Sequence, residues 1–141
     1  MESLIIRIDH VGIAVPDLAA AIEFHERVLG LQVLHEETNE EQGVHEAMLG
    51  LPGDTVRIQL LAPLTPESAI ARFIDRSGPG LQQLAYTVTD VRKAADHLRA
   101  QGIRMLYDEP KRGTENSRIN FAHPKDCGGV LIELVEPAAA Q

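Results

Sequence analysis

The chain is written twice. IDHVGIAVPDL (residues 8–18) lies over LQQLAYTVTDV (81–91), and IQLLAP (58–63) lies over IELVEP (132–137). His10 and Gln83 are 73 positions apart, and Gln59 and Glu133 are 74 apart, so two independent anchors keep nearly one offset. An internal repeat constrains a fold more than composition does, because each copy must adopt the same supersecondary unit.

Each copy opens with an apolar run and places an Asp two positions past its last valine. Asp17 and Asp90 read as N-caps, since a short carboxylate accepts bonds from the free N–H groups of a starting helix. The helices LAAAIEFHERVLG, ending at Gly30, and VRKAADHLRAQG, ending at Gly102, follow. Leu18, Ile22 and Leu29 mark the apolar face of the first, and Val91, Ala95 and Leu98 that of the second. Both stop at a glycine followed by an apolar residue, the pattern of a left-handed C-cap. Three strand-like segments then complete each copy: LQVLHE, VHEAML and TVRIQLLAP in one, IRMLYD, RINFAH and GVLIELVEP in the other. The unit is β-α-β-β-β. Module one covers about 7–63, module two about 80–137, and a connector of about 64–79 holds a helical stretch over 68–76.

These patterns predict an α+β fold in a single domain spanning 1–141. Two tandem βαβββ modules form a curved eight-stranded mixed sheet whose open faces enclose a cleft. Polar residues inside otherwise apolar strands are then informative. His10, Gln59, Gln83 and Glu133 interrupt the first and last strands of the two modules, and a pseudo-twofold axis brings all four together.

Composition narrows the class of ligand. The net charge of −8 argues against nucleic acid, whose phosphates need a basic footprint. No apolar run approaches a membrane span, and no secretory leader is evident. The single cysteine, Cys127, excludes an internal disulfide and fits a cytoplasmic setting. Cys127 has no evident base beside it, which argues against a nucleophilic role. His25, His35, His45, His97 and His123 read as structural or exposed. The expectation is a protein acting on a small molecule.

Beyond IDHVGIAV, the segments NEEQGVHEAML (39–49), IQLLAPLTPESAIARF (58–73), LYDEPKRG (106–113) and SRINFAHPKDCGGVLIELVE (117–136) carry a resemblance over almost the whole chain. The chain resembles the vicinal oxygen chelate superfamily of glyoxalases, bleomycin-resistance proteins and dioxygenases. Within it, the chain looks most like the methylmalonyl-CoA epimerases. The resemblance implies an isomerase that inverts methylmalonyl-CoA, or a close 2-alkylmalonyl-CoA, through a metal-stabilised enolate and a carboxylate base. It also implies a homodimer. In the family a divalent metal sits on a His, a Gln, a second His and a Glu, which map onto His10, Gln59, Gln83 and Glu133. The second His belongs to a GLHH segment that here reads GLQQ, so Gln83 replaces the ligand and Gln82 its neighbour.

An amide oxygen is a harder and weaker donor than imidazole, which moves preference away from Zn, Ni and Co towards Mg or Mn. Co, Mn and Mg are the expected ions, with affinity lowered by roughly 10–100-fold or binding abolished. The family's base maps onto Glu46, and Glu133 is the other retained carboxylate. Lys111, Arg112 and Arg118 lie in the stretch suited to the phosphates of coenzyme A or to a substrate carboxylate. GLQQ also admits two divergent outcomes on the same scaffold: a different acyl-thioester lyase or isomerase, or a metal-free small-molecule binding or resistance protein.

Overall fold

A computed structural model describes residues 4–139. The fold is α+β: among the described residues there are eight strands and three α-helices, with a βαβββ order in each half. It divides into two compact units, His10–Gln82 (the central unit) and the residues up to Asp9 together with those from Gln83 onward (the terminal unit). Among the described residues no helix is long and apolar enough to cross a membrane.

The central unit takes the second half of β1 (Ile5–Ala14), then α1 (Leu18–Arg27), β2 (Gln32–Asn39), β3 (Val44–Gly50), β4 (Arg57–Pro63) and α2 (Ala69–Ser77). The strand order is β2-β3-β4-β1. β1 runs parallel to β4, and the other pairings are antiparallel. One face buries Ala47, Leu49 and Leu60 against Leu18, Ala21 and Ile22 of α1. The other buries Ala14, Val44 and Leu61 against Ile70, Phe73 and Ile74 of α2. Each fully buried leucine contributes about 1.5–3 kcal/mol.

Asp17 caps α1 by accepting from the Ala20 N–H at 3.1 Å, as its position foretells. Ser68 caps α2 in the same way through Ala71. Leu29, expected on the buried face of the first helix, is exposed instead. The helix ends at Arg27, and Gly30 turns the chain at φ +73, with its N–H on the Glu26 carbonyl. Leu31, whose N–H reaches the His25 carbonyl, enters the core in place of Leu29. The regular helix stops at Arg27, before Leu29, and the left-handed turn at Gly30 then redirects the chain so that Leu31 follows a new course.

The terminal unit contains the first half of β1, most of β5 (Gly80–Val88), α3 (Val91–Ala100), β6 (Lys111–Arg112), β7 (Arg118–Ala122) and β8 (Leu131–Glu136). Strands β5 to β8 are ordered β5-β8-β7-β6, with β5 parallel to β8. Val88 and Leu134 pack against Val91 and Ala94 of α3 on one face. Ala85, Ile119, Phe121 and Val135 cluster on the other. Asp90 caps α3 through the Lys93 N–H, and Glu136 accepts from the Val91 N–H at the same helix end.

One expected strand is absent. IRMLYD forms only an isolated bridge, Met105 to Ala122, and the short β6 stands further along the chain. The reason is Asn120. Its side-chain oxygen accepts from the Tyr107 N–H at 3.1 Å, and its amide nitrogen donates to the Tyr107 carbonyl at 3.0 Å. A side chain has taken both backbone groups that a strand would have used in its ladder.

Candidate active site

In the central unit three polar side chains share one face of the sheet. His10 on β1 is paired with Arg57 of β4, two residues before Gln59. Glu46 on β3 lies opposite Leu61, and Met48 lies opposite Gln59. His10, Glu46 and Gln59 are each 3% exposed. The Gln59 amide nitrogen donates to Glu46 Oε2 at 3.1 Å. A carboxylate can only accept, so the amide must turn its N–H₂ group towards Glu46 and its carbonyl oxygen elsewhere.

The terminal unit repeats this device with the residue types exchanged. Gln83 on β5 donates from its amide nitrogen to Glu133 Oε1 on β8 at 2.7 Å. Both side chains are buried. Again the carboxylate fixes which way the amide faces. The carbonyl oxygen, the atom with which glutamine ligates a cation, is therefore turned from the carboxylate. One residue earlier in the chain, the side-chain oxygen of Gln82 is buried and has no hydrogen-bond partner among the described residues.

Among the described residues, no group of three or more His, Cys, Asp or Glu is placed to hold a metal ion. Taken by itself, the central unit offers the His10 imidazole and the Gln59 amide, and the terminal unit the Gln83 amide and the Glu133 carboxylate, donor types that suit a hard divalent ion.

The three basic residues divide between two faces. Register places Lys111 opposite Ile119, on the face that carries Phe121 and Glu133. Arg112 and Arg118 oppose each other on the reverse face, where Arg118 also approaches Glu136 at 3.8 Å. The Lys111 ammonium lies over the Tyr107 ring, 4.3 Å from its centre.

Two further polar contacts are not evident in the sequence pattern. Thr87 donates to Asp9 Oδ2 at 2.5 Å within the terminal unit, which ties down the residue before His10. His35 Nε2 donates to Glu37 Oε1 at 2.7 Å on β2. A His two residues from a Glu on a strand is the only signal that could have revealed the second pair, because such residues share a face. Burial, then the Asp126 carboxylate, raise the pKa of Cys127, which keeps the thiol protonated and unsuited to nucleophilic attack.

Residues 9–121 match the profile of the Glyoxalase/Bleomycin resistance protein/Dioxygenase superfamily. A methylmalonyl-CoA epimerase from Mycobacterium tuberculosis has a crystal structure 55% identical in sequence, with a TM-score of 0.93 over 99% of this chain and 93% of its own. A methylmalonyl-CoA epimerase solved with methylmalonyl-CoA and NH4+ is 48% identical, with a TM-score of 0.91 over 99% of each chain. An ethylmalonyl-CoA/methylmalonyl-CoA epimerase of Cereibacter sphaeroides is 38% identical over 91% of this chain and 96% of its own length. By sequence and by fold, this chain belongs to the Glyoxalase/Bleomycin resistance protein/Dioxygenase superfamily and, within it, to the methylmalonyl-CoA epimerases.

Proposed function

We propose that this protein is an epimerase of methylmalonyl-CoA or a close 2-alkylmalonyl-CoA, with Glu46 as a base. The observation that carries this reading is a buried carboxylate held by a buried amide, Glu46 with Gln59, within a fold shared with epimerases that bind the acyl-CoA substrate. Inversion at C2 requires removal of its proton and delivery of one to the opposite face. A carboxylate shielded from water is a stronger base than one in solvent, because burial disfavours its charged form. The Gln59 N–H opposes that effect and fixes the Glu46 oxygens in one orientation, which is what proton abstraction at a defined carbon needs. Glu133, oriented in the same way by Gln83, is the second carboxylate of the reaction.

His10, Gln59, Gln83 and Glu133 are the residues we assign to a divalent cation, Mg or Mn by donor hardness and Co as a third candidate. When bound, the cation supplies Lewis-acid stabilisation of the charge that develops in the enolate. Supporting this assignment, each glutamine lies within hydrogen-bond distance of a buried carboxylate, Gln59 of Glu46 and Gln83 of Glu133, and these polar side chains sit inside otherwise apolar strands.

Lys111, Arg112 and Arg118 serve the anionic groups of the acyl-CoA. Arg112 and Arg118 are directly opposed in the ladder, which gathers two guanidinium groups in one place. The protein acts as a homodimer in a reducing, cytoplasmic setting, consistent with its one cysteine.

Proton NMR of methylmalonyl-CoA in D₂O tests the reading, first with chelator and then with Mn²⁺, Mg²⁺ or Co²⁺. Metal-dependent loss of the C2 proton signal is the expected result. Loss in chelator would retain the epimerase and remove the cation. No loss under any condition, with folded protein, would overturn the epimerase and favour a binding protein on the same scaffold.

A further inference from the structure

Glu46 has a neighbour that the reaction above does not use. Glu37 on β2 lies directly across the ladder from Glu46 on β3. Residues opposed in an antiparallel pair share a face and bring their Cβ atoms to about 4.5–5.5 Å. Two carboxylates in that relation repel each other unless a proton or a cationic partner relieves them. His35 stands two residues back on the same face, with its Nε2 at 2.7 Å from Glu37 Oε1, a contact that holds the Glu37 carboxyl in place.

Exposure rises step by step along this group. Glu46 is 3% exposed, the Glu37 side chain 13% and the His35 side chain 34%. β2 ends the strand order of the central unit, so Glu37 stands between a buried acid and solvent. The other charged groups on this face are His10 and Arg57. The helix packed on it, α2, carries Arg72, Asp75 and Arg76.

We propose that Glu37, held by His35, is the outlet through which the proton taken by Glu46 exchanges with water. This inference rests on the epimerase reading. After the C2–H bond breaks and an O–H bond forms on Glu46, that O–H bond breaks as one forms on Glu37. The Glu37 O–H then breaks to water, and the reverse sequence returns a solvent proton to Glu46. No other reactant is consumed. Glu37 and His35 are positioning residues, since they act on substrate only through Glu46.

The test is isotopic. Each C2 epimer of methylmalonyl-CoA is incubated in D₂O with Mn²⁺ and wild-type, Glu37→Gln or His35→Gln protein. Deuterium entering the unreacted epimer is compared with the epimer formed. For the epimer whose C2 proton meets Glu46, Glu37→Gln should lower the ratio of exchange to inversion roughly tenfold or more. The ratio from the other epimer should not change. His35→Gln should shift the ratio the same way by less, and it also serves if Glu37→Gln does not fold.

A structural role alone would lower turnover and leave the ratio where it was. An unchanged ratio in folded variants, judged by circular dichroism, would therefore overturn the outlet. Absence of C2 exchange in the wild-type arm is a different failure. It would overturn the epimerase reading, and the outlet with it.

Discussion

The central and terminal units are copies of one pattern, yet they differ at two neighbouring positions of their third strands. Register aligns Glu46, opposite Leu61, with Ile119, opposite Val135, and it aligns Ala47, opposite Leu60, with Asn120, opposite Leu134. Glu46 adds a buried carboxylate to the polar face of the central unit, whereas Ile119 adds apolar packing to the terminal one. On the reverse face, Ala47 leaves β2 free to pair along its length with β3, while Asn120 bonds the Tyr107 backbone and replaces a strand. A repeat thus fixes the frame, and single substitutions within it decide which third strand carries a buried carboxylate and which copy keeps its ladder.

The most direct way to break this comparison is to remove the carboxylate that only one copy has. Glu46→Gln should lower C2 exchange by on the order of 10³–10⁴-fold while leaving the fold intact, measured by deuterium uptake and circular dichroism. Retained exchange would mean that the difference between Glu46 and Ile119 is not the catalytic one. Next in size, Gln83→His matches the imidazole of His10 in the other copy. The cation concentration for half-maximal exchange should fall by about 10–100-fold. No change would remove Gln83 from the ligand set.

Asn120→Ala gives the terminal unit the residue that the central unit has. Two hydrogen bonds to the Tyr107 backbone are lost from a side chain 1% exposed, so stability should drop by about 2 kcal/mol in urea denaturation. A smaller effect is expected at Gln82, whose buried oxygen lacks a partner. Gln82→Met should raise stability by up to about 1 kcal/mol in the same assay, since burying an unbonded amide costs more than burying a thioether.

The smallest effect concerns the segment that lost its strand. Arg104 donates from its side chain and its backbone to Asp126, and these bonds hold that carboxyl down at about 2 against an ordinary 3.8. A folded-state pKa below the unfolded one gives stability that is present above about pH 4 and is lost as pH falls towards 2. Asp126→Asn should therefore flatten the stability curve across that window. A curve as steep as that of the wild type would show that this contact contributes nothing measurable.

The repeat, the N-caps Asp17 and Asp90 and the glycine stops were legible because each is a local signal. A short carboxylate before a helix and a glycine after it satisfy nearby backbone groups wherever the chain goes. The buried positions of His10, Gln59, Gln83 and Glu133 were legible for a related reason, since a polar residue inside an apolar strand must find a partner. Their partners were not legible. That Gln59 serves Glu46, and Gln83 serves Glu133, depends on which strands lie side by side and in what register.

By itself, then, the sequence determined the two βαβββ units, the polar residues on their faces and the resemblance that named the chemistry. Tertiary structure alone decided that Leu31 rather than Leu29 enters the core, that Asn120 displaces a strand, and that Lys111 stands on a different face from Arg112 and Arg118. It alone set Glu37 across from Glu46, with His35 beside it. The physical reason is the range of the interactions. Helix caps and strand periodicity are settled within a few residues, whereas a cross-strand partner is chosen by register between segments far apart in the chain, and a slip of one residue turns every side chain to the other face.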